Sequence, residues 1–285
     1  MRARDAAILV RLPAALSVPG DALAGMSASA AGIVPDRRLA IPAASVLLYW
    51  AGMALNDFAD RDLDRLERPE RPIPSGRVHP GEALALAAGL SVAGVATAAW
   101  AGGRPAAGAA LALASTVWAY DLVLKNGPAG PAAMATARAL DVVLGSAVAG
   151  TGRSAGAWPA VAVGLHTAGV TLLSRGEVHG SDPVRAGAAT AATLLAAVTA
   201  ASVGRSRPLA LGLASVYAAA VARAQLAAVR SPDARTVRTA TGAGIRGLVP
   251  LQAALLAGQG ASRTAAGLLA LGPVLRAASR KVSPT

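Results

Sequence analysis

The chain has 285 residues, of which 54% are hydrophobic and 15% charged, against about 25% charged in an ordinary soluble domain; with a mean hydropathy of +0.50, this excludes a soluble globular enzyme. The net charge is +12, but the cations lie in short loops between apolar runs and not on a basic helix with interleaved aromatics, the positive-inside pattern of a membrane protein rather than the mark of a nucleic-acid partner. Cysteine is absent, so disulfides, thiolate metal sites and Cys nucleophiles are excluded.

Apolar runs near the spanning length of about 20 residues recur along the chain. They predict an all-α, polytopic membrane protein, a single domain over 1–285. Its many Ala and Gly residues suit close helix–helix approach in lipid. The first helix is expected over 5–32, retained and not a cleaved signal peptide. The next are expected over 39–60, 80–101, 105–125, 128–150, 157–177, 184–203 and 207–229. Two further runs, 234–258 and 261–280, leave the total at nine or ten spans. The first of them carries Arg238 and Arg246 and suits a partly interfacial position. Breaks carry Pro, Gly and charge, as at Pro35-Asp36-Arg37-Arg38 and Gly102-Gly103-Arg104-Pro105. With the N-terminus inside, Arg2, Arg4, Arg11 and the arginines of 61–77 face the cytoplasm of a cell membrane.

The second helix ends in Asn56-Asp57-Phe58-Ala59-Asp60-Arg61-Asp62-Leu63-Asp64. Asn56, Asp60 and Asp64 are spaced i, i+4, i+8 and share one helical face. Oxygen-bearing side chains at the mouth of a membrane segment suit a hard cation. Asp57 and Asp62 lie off that face. Arg68-Pro69-Glu70-Arg71-Pro72-Ile73-Pro74-Ser75-Gly76-Arg77 follows. Its three prolines restrict the loop, and Arg71 and Arg77 can close over an anion. Acids that hold Mg²⁺ beside cations that hold an anion suggest a diphosphate bound through metal. The plain alternative is a solvated topology signal whose acids balance its arginines.

Tyr120, Asp121 and Lys125 end the fourth run. Lys125 can contact phosphate as a point charge or snorkel as an end-of-helix lysine. Arg138 and Asp141 either pair with each other or line a cavity. Arg175 and Glu177 mark a second acid-bearing helix end, with Glu177 a candidate metal ligand and Arg175 a candidate phosphate contact. His166 reads as a helix–helix hydrogen bonder, His79 as a loop residue and His179 as an interfacial one. Arg223, Gln225, Arg246 and Gln252 either touch the site or pair between helices.

Asn56-Asp57-x-x-Asp60-x-x-x-Asp64, followed by Arg71-Pro72-Ile73-Pro74-Ser75-Gly76-Arg77, resembles the first signature of the UbiA superfamily of intramembrane prenyltransferases. Tyr120 to Lys125 is similar to that family's Tyr-x-x-x-Leu-Lys segment. Residues 135–145, with Arg138, resemble its following helix, where Asn often stands at the position of Asp141. The second signature departs from the family: Glu177 is its sole acid before Asp182, as in a divergent actinobacterial and EboC-like branch. The resemblance implies about nine helices around a central cavity and transfer of a prenyl group from a prenyl diphosphate to an unknown lipophilic acceptor, aromatic or otherwise. It implies Mg²⁺ held by Asn56, Asp60, Asp64 and Glu177. Diphosphate would be held by Arg71, Arg77, Lys125 and Arg175, with Asn56 beside it. Tyr120 would orient phosphate or shield the allylic cation, which makes Asp60, Asp64, Lys125 and Tyr120 the catalytic group. The thinned second signature keeps another reading open: a membrane lipid-binding or transport protein derived from that fold, without catalysis. A CDP-alcohol phosphotransferase is disfavoured, because its Asp-Gly-x-x-Ala-Arg signature is absent.

Overall fold

The computed structural model describes residues 2–11, 18–28, 36–149, 156–202, 204 and 206–271. These are almost wholly helical, and no strand occurs among them. The first expected helix is two helices. They are α1 (Ala3–Leu9) and α2 (Pro19–Ala28), with Arg11 turned to φ 47°. Its expected end at 29–32 lies outside the described residues. A 3-10 turn at Arg37–Ala40, capped by the Asp36 carboxylate on the Arg38 N–H at 2.8 Å, leads into α3 (Ile41–Ala59). Asp60 breaks the helical dihedrals, and α4 (Arg61–Glu67) follows.

The long helix α5 (Pro80–Ala119) begins at a capping box: the His79 ring accepts from Gly81 N–H, and Glu82 accepts from His79 N–H at 3.0 Å. His79 is thus a loop residue, as expected, and caps the helix that follows. Straight, its 40 residues would reach about 60 Å, twice the bilayer's apolar thickness of about 30 Å. Gly103 takes φ 70°, a backbone conformation open to glycine, and Pro105 follows it. The helix therefore folds into two limbs, joined again where Trp118 Nε1 donates to Ser91 Oγ at 3.1 Å. These limbs are the expected helices 80–101 and 105–125. A π turn over Tyr120–Leu124 ends the second limb.

Then come α6 (Gly130–Ser146), α7 (Ala157–Ser174), α8 (Pro183–Ser202), α9 (Arg207–Arg230), α10 (Ala234–Gly258) and α11 over 262–271. The rest of the expected run 261–280 lies outside the described residues. Among the described residues, five stretches are long and apolar enough to cross a membrane: Arg37–Ala59, the doubled Pro80–Leu124, α7, α8 and α9. The chain is an integral membrane protein. Large apolar side chains such as Val92, Trp100, Leu111, Trp158, Leu195 and Val216 point outward, where a soluble protein would expose a liability and lipid offers a match.

Among the described residues, the two largest apolar clusters hold the bundle. One joins α2, α3, both limbs of α5 and α6 around Met26, Ile41, Leu48, Leu113 and Leu144. The other joins α2 and α6 to α7, α8, α9 and α10 around Val163, Tyr217, Val221, Leu251 and Leu255. Helices α2 and α6 are shared, and they cross at backbone contact. A methyl group on Gly25 would strike the Val142 carbonyl, and one on Gly145 the Ala22 carbonyl. At the site end, Leu9 of α1 packs with Ile73, Val78, Ala83 and Phe58. Arg77 Nε donates to Asp5 Oδ1 at 3.1 Å. The N-terminal helix and the loop 68–79 are thereby pinned together.

Candidate active site

Helical spacing builds the cavity. Ser45, Leu48, Tyr49, Gly52, Met53 and Asn56 form one stripe of α3 at intervals of three and four. Leu113, Val117, Tyr120 and Asp121 do the same on the second limb of α5, and Met134, Ala137, Arg138 and Asp141 on α6. Together with Arg11 and Val18 they enclose about 230 Å³. The walls are mostly apolar. Polar groups gather at two levels: Asn56, Tyr120, Asp121 and Arg11 at the mouth, and Ser45, Arg138 and Asp141 deeper in.

At the mouth, Asn56 Nδ2 donates to Asp121 Oδ1 at 3.2 Å. Lys125 Nζ lies 2.5 Å from Asp60 Oδ1. The π turn makes the second pair possible: its wider register closes Lys125 N–H on the Tyr120 carbonyl at 2.9 Å and places Lys125 beyond the end of α5. Arg175 donates to the carbonyls of Lys125 and Gly127, the first at 3.2 Å. It braces the turn that carries Lys125. Arg238 Nη1 donates to the Glu177 carbonyl at 3.0 Å.

Behind the mouth lies a second set of charges. Asp64 is 2% exposed and accepts from Arg71 Nη1 at 2.7 Å, with Arg68 at 3.6 Å. The same Arg71 nitrogen reaches Asp57 Oδ1 at 3.3 Å, and Arg11 Nη2 reaches that oxygen at 3.2 Å. Arg77, tied to Asp5, also donates to the Glu70 carbonyl at 2.9 Å.

The sequence-expected residues therefore divide. Asn56, Asp60, Tyr120 and Lys125 meet at or beside the cavity mouth. Asp64 stays in the same backbone register, Asp60 N–H bonding the Asn56 carbonyl at 2.9 Å and Asp64 N–H the Asp60 carbonyl at 2.8 Å, but Arg71 engages its carboxylate at 2.7 Å. Arg71 and Arg77 are engaged by acids, and Arg175 by backbone carbonyls. Glu177 is half-buried at the end of α7, outside the cavity lining. Arg138 pairs not with Asp141 but with Asp21, at 2.8 Å. His166 does bond between helices, its Nδ1 lying 2.8 Å from the Tyr217 hydroxyl.

Four polar cavity groups carried no assigned site role in the sequence: Asp121, Arg11, Ser45 and Tyr49. Asp121 had a signal, since an acid inside an apolar run is a functional candidate by position alone. Arg11 and Tyr49 had none, because only the chain's turn after α1 brings Arg11 to α3.

Among the described residues, no three His, Cys, Asp or Glu side chains stand close enough together to form a metal-holding group. The donors at the mouth are nonetheless hard oxygens: carboxylates of Asp60 and Asp121 and the amide of Asn56. Mg²⁺ is commonly held by one or two carboxylates plus substrate phosphates and water, so this donor set fits a cation that a diphosphate helps to bind.

Fold and site together define an intramembrane helical bundle whose cavity mouth sets acids beside a lysine. The sequence profile of the UbiA prenyltransferase family matches residues 21–243, and the chain belongs to that family. It is 34% identical over 132 residues to digeranylgeranylglyceryl phosphate synthase of Methanospirillum hungatei, covering 45% of this chain and 47% of the relative. The match thus spans about half of that relative's length. A solved structure of digeranylgeranylglyceryl phosphate synthase in membranes aligns with a TM-score of 0.69 at 18% identity, over 90% of this chain and 97% of the other. A UbiA homologue from Archaeoglobus fulgidus bound to GPP and Mg²⁺ aligns with a TM-score of 0.60 at 13% identity, over 86% and 99%. At these identities the structural likeness speaks for the fold.

Proposed function

We propose that the protein transfers a prenyl group from a prenyl diphosphate to a lipophilic acceptor within the cytoplasmic membrane, with Mg²⁺ at the diphosphate. The observation that carries this reading is the pairing of Asn56–Asp121 and Asp60–Lys125 at the mouth of an apolar, membrane-embedded cavity. Asn56, Asp60 and Asp121 would hold Mg²⁺, which supplies Lewis-acid neutralisation of the leaving diphosphate. Lys125 places a positive charge beside the bridging oxygen as the allylic C–O bond breaks and the diphosphate departs with the electron pair. Tyr120 and Tyr49 border the carbon that becomes cationic. The apolar walls of Leu48, Met53 and Val117 keep water from it.

Asp64 and Asp57 serve at one remove. They hold Arg71, and through it the 68–79 loop, against the mouth. Arg77 does the same through Asp5. Arg175 positions Lys125 by its backbone. Glu177 remains a candidate second metal ligand from the far side of the mouth. The loop arginines support a cytoplasmic position for this face.

The test is release of pyrophosphate from a panel of prenyl diphosphates, with purified protein in lipid, a cell extract as acceptor source, and Mg²⁺ or EDTA. Release that requires Mg²⁺ and Asp60 is the expected result. Saturable binding of every donor without release would overturn the catalytic reading in favour of lipid binding or transport.

A further inference from the structure

The deep end of the cavity carries polar groups that a diphosphate at the mouth does not use. From Asn56 back to Ser45, α3 extends about 16 Å, beyond the reach of a diphosphate held at Asn56. The hydrocarbon tail of a prenyl group offers these groups nothing, since buried polar atoms need hydrogen-bond partners. Asp141 lines the cavity and is 4% exposed. Its Oδ2 accepts from Ser45 Oγ at 2.7 Å. Its Oδ1 is buried and has no hydrogen-bond partner among the described residues, an arrangement that is costly unless something else donates to it. Arg138 lines the cavity beside it. Its guanidinium lies 2.8 Å from Asp21 Oδ2, and Asp21 Oδ1 accepts from Gln252 Nε2 at 2.6 Å.

Building on the prenyl-transfer reading, we propose that this end seats the head of the prenyl acceptor. The acceptor is uncharged and carries a hydroxyl that donates to Asp141 Oδ1, with a carbonyl or ether oxygen turned to Arg138. Charge decides the class. Arg138 is already paired with Asp21, and Asp141 has no ion pair of its own among the described residues. A carboxylate or phosphate head brings no donor to Asp141 Oδ1 and would be buried beside that carboxyl group with Arg138 already engaged, which is costly. An ammonium brings three donors to one open oxygen and sits beside a guanidinium. A hydroxyl brings one donor and no charge, which matches the one open acceptor. The hydroxyl orients the acceptor and is not the attacking atom, because the allylic carbon lies nearer the mouth.

The test uses two probes that share a benzene ring and differ at one substituent, benzyl alcohol and benzoate, so that only the first carries a hydroxyl. Their binding is measured by calorimetry on the protein in nanodiscs with Mg²⁺ and a non-hydrolysable thio analogue of geranyl diphosphate. The alcohol is expected to bind about tenfold more tightly, a difference of about 1.4 kcal/mol. Asp141→Asn should shrink that preference. Ser45→Ala exposes a second Asp141 oxygen to the ligand and should widen it, so it serves if Asp141→Asn does not fold. A carboxylate that binds equally or better, a failure of both probes to saturate, or a preference unmoved in the variants would each overturn the proposal. Failure of the prenyl-transfer reading looks different: the preference stands, yet no donor releases pyrophosphate.

Discussion

Lys125 and Asp60 sit 2.5 Å apart with side chains 12% and 25% exposed, so each depends on the other for its charge environment. Removing a preorganised charge from a developing anion typically costs about 10²–10³ in rate. Lys125→Met and Asp60→Asn are therefore expected to lower Mg²⁺-dependent pyrophosphate release by about that factor while the protein still inserts and elutes as a single species; full turnover in either variant would remove the pair from the reaction. Arg71→Leu should fail in another way. It leaves the buried Asp57 and Asp64 short of a counter-charge, and breaking a buried pair costs about 3–5 kcal/mol. Its expected signature is a lowered thermal midpoint in detergent and faster proteolysis in the 68–79 loop, and a wild-type midpoint would contradict the brace. The acid motif named this region in the sequence, but the division of labour among its acids was not legible there. Periodicity put Asn56, Asp60 and Asp64 on one face, whereas the arginine that takes Asp64 arrives from a loop whose path the local sequence does not dictate.

Helix α6 shows what an element owes to its smallest residues. Gly145 faces Ala22, and Gly25 faces the Val142 carbonyl, so α2 and α6 touch backbone to backbone. Gly145→Val has no room at that crossing, and overpacking of this kind costs about 1–3 kcal/mol; it should lower the thermal midpoint and, because α6 carries Arg138 and Asp141, weaken ligand binding in the cavity. Wild-type stability would show that the crossing can open. The start of α10 gives a pH-dependent case. Asp233 caps it by accepting from Thr236 Oγ1 at 2.6 Å and from the Arg235 and Thr236 N–H groups. The Thr236 hydroxyl first, then the backbone bonds, hold the carboxyl below its usual value. A depressed acid stabilises the fold above its unfolded pKa and loses that contribution as pH falls through the folded value. The protection of the Thr236 amide, measured against its intrinsic exchange rate at each pH, should therefore fall in acid, and Asp233→Asn, which caps without a charge, should remove that acid dependence. Most helices were legible as apolar runs because lipid demands continuous apolar length. The first was not one helix. Leu9 packs under the loop with Ile73 and Val78, and Arg11 turns to meet Asp57, tertiary contacts that override a local apolar pattern.

Across the whole molecule, the active mouth and the far end of α3 must lie on opposite sides of the membrane if α3 spans it. Arg37 and Glu67 mark these two ends, and both are exposed. The positive-inside rule predicts that the arginine-rich loop beside Glu67 faces the cytoplasm, since positive charge resists translocation. A water-soluble prenyl donor headgroup made in the cytoplasm would then reach Asn56 and Lys125 without crossing lipid. The chain has no cysteine of its own, so single substitutions report their position without background. In intact cells, a membrane-impermeant maleimide is expected to label Arg37→Cys and to spare Glu67→Cys. In inside-out vesicles the pattern should reverse. Arg37→Cys removes a cation from the outer side, which strengthens the native orientation and does not invert it. Labelling of Glu67→Cys in intact cells would turn the protein over, place the cavity mouth outside, and require any donor to be delivered from that side.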